Sequence, residues 1–156
     1  MVCIVKNAVN KPSQNGIASF EQYGRMKLPA DFLGFIEHGN GGIPELNTFR
    51  LSGKERLIER FLPLMDEPAL DEANGRYDMA VVETQIGERL AIDAEQIGCK
   101  LVPFAAVFSG DFLCFDYRES TTSPSIVLWD HNISDEFAPC TTFVASSFHS
   151  LIAALA

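Results

Sequence analysis

The sequence predicts an α+β fold: a mainly antiparallel sheet of about five to six strands, with N-terminal helices and a C-terminal helix packed against it. Three observations carry this. Apolar residues at helical spacing fill the stretch before Gly39, strand-length apolar runs separated by Gly, Pro and Ser turns fill the second half, and an amphipathic segment closes the chain. The β-α-β alternation of a doubly wound parallel sheet is absent from that order.

The elements follow in sequence. Residues 1–16 read as an irregular N-terminal arm of a single domain spanning 1–156, polar from Asn7 to Gly16. Ile17, Phe20 and Tyr23 recur every three residues and predict a short helix that ends near Gly24 and packs on the domain. Leu28-Pro29-Ala30-Asp31 opens a second helix, with proline at an early position and an acid where the helix dipole favours negative charge. Phe32, Leu33, Phe35 and Ile36 form its apolar face, His38 lies in its last turn, and Gly39-Asn40-Gly41-Gly42 stops it.

Leu46 to Leu51 alternates as a short strand, whereas Gly53 to Met65, polar with scattered apolar residues and with proline breakers at Pro63 and Pro68, reads as a loop with one helical turn. Asp78 is an N-cap for a helix carrying Met79, Val82, Ile86 and Leu90; Gly87 leaves a hairpin over 78–90 as the competing reading. Leu101 to Val107 is a strand whose Pro103 belongs at a sheet edge or at the strand's start. Phe112–Tyr117 and Ser125–Trp129 form a hairpin, Cys140–Ala145 a further strand, and Phe148–Leu155 the closing helix.

Composition narrows function. The 156 residues are 47% hydrophobic and 21% charged, which is a chain that builds a core. The longest apolar run, Leu101 to Phe108, is too short to cross a bilayer, and the apolar N-terminus is halted by Lys6 and Asn7 before it reaches the length of a secretory signal. A cytoplasmic protein without membrane contact is the expectation, and Cys3, Cys99, Cys114 and Cys140, scattered and without metal-ligand spacing, are expected as reduced thiols. The net charge is −9, from 21 acids and 12 bases, and no basic patch interleaved with aromatics occurs. Direct nucleic-acid binding is thereby disfavoured. The acid surplus either serves solubility or draws a basic partner.

No catalytic pattern stands out. Ser109 precedes Gly110-Asp111 but lacks the G-x-S-x-G context, and Gly39–Gly42 follows a helix rather than leading into one as a phosphate loop does. The pairs Asp66-Glu67, Asp71-Glu72 and Asp135-Glu136 are adjacent on loops, where two carboxyls do not span a cleft. His131, with Asp130 and the acids of the hairpin, offers metal-ligand types without a recognised spacing, so a solvated hairpin edge is preferred; no metal or cofactor is expected. Trp129 reads as core filler or as an anchor for a partner, with core favoured.

Five blocks together point to a family. Leu28-Pro29-Ala30-Asp31-Phe32 with Phe35-Ile36, Asn40-Gly41-Gly42-Ile43-Pro44, Gly110 to Tyr117, Val127-Leu128-Trp129-Asp130-His131, and Ser147-Phe148 with Leu151 resemble, in order and spacing, the SUKH superfamily. The resemblance spans Ile17 to Leu155 and is loosest over Gly53 to Cys99. It implies an α+β fold without catalytic residues, and a role as a bacterial immunity protein that neutralises a polymorphic or contact-dependent toxin, such as a nuclease; the acid surplus makes a basic toxin the expected partner. A regulatory or scaffold module of the fungal cell-wall synthesis type is the alternative. On the immunity reading, Asp111, Asp116, Glu119, Asp130, Asp135 and Glu136 supply charge toward the partner, and Tyr117 and Trp129 supply anchors.

Overall fold

The computed structural model describes residues 3–156; Met1 and Val2 of the expected arm lie outside the described residues. The rest of the arm is tied down, because β1 (Val5–Lys6) pairs antiparallel with β2 (Ile43–Pro44) and Val9 bridges Asn40. Asn40 explains the Asn-Gly-Gly turn. Its buried side chain donates to the carbonyls of Asn10 and Leu64 and accepts from the Leu64 N–H, each at 2.9 Å, so one amide satisfies backbone groups of two remote segments. Gly42 holds φ at +90°, and a Cβ there would fall 2.4 Å from the Lys6 carbonyl oxygen.

Helix α1 (Gln14–Gly24) starts at Ser13, whose hydroxyl accepts the Gly16 N–H at 2.9 Å. Phe20 is buried, but Tyr23 is 77% exposed, contrary to the sequence expectation. The reason is geometric: steps of three residues lag an α-helix's turn, so Tyr23 lies about 120° around the helix from Ile17. Helix α2 (Ala30–His38) buries Phe32 and Ile36. Its Asp31 accepts the Phe32 N–H at 2.8 Å and the His149 N–H of α5 (Phe148–Ala154) at 2.9 Å, joining the first turns of two helices.

Six strands form one antiparallel meander, β3 (Thr48–Leu51), β4 (Lys54–Phe61), β5 (Leu101–Val107), β6 (Asp111–Asp116), β7 (Ser125–Trp129) and β8 (Thr141–Ala145), each paired with its sequence neighbours. β4 replaces the expected loop. Five of its eight residues are charged, and the register shifts between Ile58 and Arg60, so the buried positions Ile58 and Phe61 fall three apart and the period of two is lost. β5 is internal rather than at an edge. Its Pro103 is accommodated by a register shift between Pro103 and Ala105, where the ladder does not require the missing N–H.

Asp78 caps α3 (Met79–Gln85) by accepting the Ala80 and Val81 N–H groups at 2.9 and 3.1 Å, and the helical reading of this segment holds over the hairpin. It breaks at Ile86 and resumes as the single turn α4 (Gly87–Leu90). Both faces of the sheet are covered. On one, Phe32 of α2 meets Phe115 and Phe148 edge-on at 5.0 and 5.2 Å; on the other, Leu90 of α4 joins Leu101, Cys114, Val127 and Trp129. Ile126 to Trp129 is buried at every position, which is why alternation does not select an inner face there.

Candidate functional site

The β6–β7 hairpin does not present its sequence-predicted residues to one surface. Gly110 lets the chain turn into β6 at φ +97°, and its missing side chain leaves the His131 ring in van der Waals range, 3.4 Å from where a Cβ would stand. Asp111 follows, 4% exposed. Its Oδ1 accepts the His131 N–H at 3.0 Å and lies 2.6 Å from His131 Nδ1, while its Oδ2 is held by the Arg56 guanidinium. Burial pushes this carboxyl up, but the hydrogen bonds from His131 and the charge of Arg56 outweigh it and hold the group below the usual carboxylate range. Asp111 therefore ties β4 to the end of β7 rather than facing a partner.

The two expected anchors are also turned inward. Trp129 is 1% exposed, donates its indole N–H to the Arg89 carbonyl at 3.0 Å, and lies under the Arg89 guanidinium at 4.9 Å from the ring centre. Arg89 in turn donates to the carbonyls of His131 and Ser134. Tyr117, also 1% exposed, donates its hydroxyl to the Lys27 carbonyl at 2.8 Å, and burial raises its phenol. A large ring with a polar tip fits a core that offers that tip a carbonyl as well as it fits an interface.

Asp111, Asp130 and His131 each place a ligand atom within 4.8 Å of the others. The donor set does not fit a metal ion as it stands, because Arg56 already occupies Asp111 Oδ2 with positive charge and Asp130 Oδ1 accepts the Asn132 N–H at 2.8 Å. Asp111 is tied to Arg56 and His131 at the hairpin's end, and Asp130 beside them caps its own turn.

The remaining acids divide between opposite ends of the hairpin. Asp116 and Glu119 lie at the β6–β7 turn, and Asp116 is neutralised by Arg118 at 2.8 Å. There burial pushes the Asp116 carboxyl up, and Arg118 outweighs it and lowers it. Asp130, half-buried, and Asp135 and Glu136, exposed, lie at the other end in the β7–β8 loop. That loop is fastened to α4 by the Phe137 N–H, which donates to the Glu88 carbonyl at 2.7 Å.

Beside α4 and the β7–β8 loop lies a cleft of about 640 Å³ that the sequence does not reveal. Tyr23, Cys99 and Phe137 line it, and Glu83, Glu88 and Asp93 supply its charge. Residues 79–99 contain a single base, Arg89, and its guanidinium is committed to Trp129 and to the carbonyls of His131 and Ser134. Glu83 Oε1 accepts the Cys99 thiol, whereas Glu83 Oε2 is buried and has no hydrogen-bond partner among the described residues. Burial pushes the Glu83 carboxyl up, against the lowering effect of Cys99, and the same burial together with the Glu83 charge raises the Cys99 thiol.

A six-stranded antiparallel meander flanked by short helices, with its five sequence blocks spent on turns, caps and buried ties, defines a small α+β domain whose distinctive surface is acidic. The family model SUKH_6, described as SMI1-KNR4 cell-wall, matches residues 14–152. The chain belongs to this family of the SUKH superfamily, which includes toxin immunity proteins and SMI1/KNR4-type members. No curated protein matches the chain. Among the described residues, no helix is long and apolar enough to cross a membrane.

Proposed function

We propose that this protein is a non-catalytic immunity protein that binds a cognate bacterial toxin of basic character and blocks its working surface. The observation that carries the reading is the uncompensated acid at the seam between α4 and the β7–β8 loop. Among the described residues, ion pairs compensate Glu21, Asp111 and Asp116, and none reaches Glu83, Glu88, Asp93, Asp135 or Glu136. A nuclease groove is built to attract phosphate, and an acidic surface occupies such a groove as a mimic of its substrate's charge. The partner-facing acids are Asp130, Asp135 and Glu136, with the cleft beside them; Glu119 stands at the hairpin's other end.

The test is co-expression. The variable C-terminal domain of a large secreted protein encoded beside this chain should arrest growth alone and fail to do so with this chain present, and the two proteins should co-purify. Continued arrest, with no complex formed, rules the reading out. The family's SMI1-KNR4 description favours a second reading, a regulatory scaffold that binds the cell's own proteins. On that reading deletion of the gene alters growth or envelope integrity in the absence of any toxin.

A further inference from the structure

We infer that the cleft lined by Tyr23, Glu83, Glu88, Asp93, Cys99 and Phe137 is a socket for an arginine-bearing loop of the partner polypeptide, with Glu83 as the acceptor of its guanidinium. The inference rests on the protein-binding reading and adds where, and by what chemistry, the partner is gripped.

Shape is the first argument. A volume of about 640 Å³ admits a short loop rather than a lone side chain, and it lies within the range of sites that enclose a ligand. Charge is the second, since the lining contains three acids and no base. The third is the state of Glu83. A buried carboxylate oxygen without a donor is costly to the free protein, and its other oxygen has only a thiol, a weak donor that a guanidinium displaces readily. Arginine supplies a planar fork of N–H groups matched to a carboxylate, and Glu83 offers it both oxygens once its side chain turns from the Cys99 thiol toward the cleft and uncovers Oε2. Tyr23, 77% exposed at the rim, and Phe137 offer ring faces on which the same group stacks. A divalent cation fits less well: the metal-spaced grouping among the described residues is Asp111–Asp130–His131, and no cleft acid belongs to it.

The experiment titrates a hexa-arginine peptide, and a hexalysine peptide of equal charge, into the isotope-labelled protein and follows backbone amide shifts. The expected result is perturbation centred on Glu83, Gly87, Ala91 and Gly98, tighter binding of the arginine peptide, and at least a tenfold loss of affinity in Glu83→Gln. Asp93→Asn, at the exposed rim, should weaken binding severalfold with the fold undisturbed, while Glu55→Gln on β4 should leave it within twofold. Shifts spread evenly over all surface acids, or equal affinity of wild type and Glu83→Gln, overturn the socket. The toxin complex separates this inference from the one beneath it. A toxin that binds Glu83→Gln as tightly as wild type removes the socket and leaves the immunity reading standing, whereas peptide capture in the cleft without any toxin complex supports the socket alone.

Discussion

Asp111, a buried acid, and Glu83, a half-buried one whose Oε2 is buried, have opposite accounts. Asp111 has a donor for each oxygen, His131 on one and Arg56 on the other. Asp111→Asn should lower the unfolding free energy by about 1–3 kcal/mol at neutral pH, read by urea denaturation. Its folded pKa is depressed, so the stabilisation is present above the unfolded value of ~3.9 and is lost as pH falls through the lower folded value; the gap between wild type and variant should close in that acid range. Glu83 behaves the other way. With its folded pKa raised, wild type is least penalised below the unfolded value of ~4.3 and loses stability as pH rises through the folded one. The groups that face it, the thiols of Cys99 and Cys114, are themselves raised and stay protonated across that window. Glu83→Leu should therefore melt several degrees above wild type at pH 7, with the difference shrinking toward pH 4. A lower melting temperature at pH 7 would show that the carboxylate is satisfied after all.

At the scale of elements, the readable parts were those whose local chemistry agrees with the tertiary answer. Asp78 caps a helix, Gly39–Gly42 ends one, and the β6–β7 hairpin pairs Phe112 with Trp129 and Asp116 with Ser125. β4 was hidden because a register shift erased its alternation and charge dominates its surface, and Pro103 misled because a bulge, invisible in sequence, admits proline to an internal strand. Two glycines sharpen the contrast between a residue the element tolerates and one it requires. Gly34 lies inside α2 with open space where a Cβ would go, so Gly34→Ala should stabilise by about 0.5–1 kcal/mol through backbone entropy. Gly42→Ala meets both a positive φ and the Lys6 carbonyl, and should cost more than Gly34→Ala gains. Thermal melts of the two variants should move in opposite directions; if both rise, the β1–β2 contact is looser than its geometry implies.

For the whole molecule, the net charge of −9 was legible from composition, and Asp135 and Glu136 were legible as exposed loop acids. The cleft was not, because it is assembled from α1, α3, α4, the segment before β5 and the β7–β8 loop, which only tertiary packing brings together. Trp129 takes the core place favoured for it and Tyr117 is buried where an anchor would be exposed; the buried carbonyls that receive their polar tips leave no mark in the sequence. What the assembled surface adds is a direction to the charge, and direction has a kinetic consequence. Steering acts before contact and is screened over a Debye length of about 10 Å at 0.1 M salt, so it belongs to the association rate. With the cognate toxin domain, raising ionic strength from about 0.05 to 0.5 M should slow association tenfold or more and change dissociation little. Asp135→Lys and Glu136→Lys should slow association and flatten that salt dependence, because they reverse the field at the seam. Glu55→Lys, which changes net charge equally but sits on β4, should do so far less. Stopped-flow rates that are indifferent to salt, or equal for all three variants, would mean that the acid serves solubility and that the partner is gripped by shape alone.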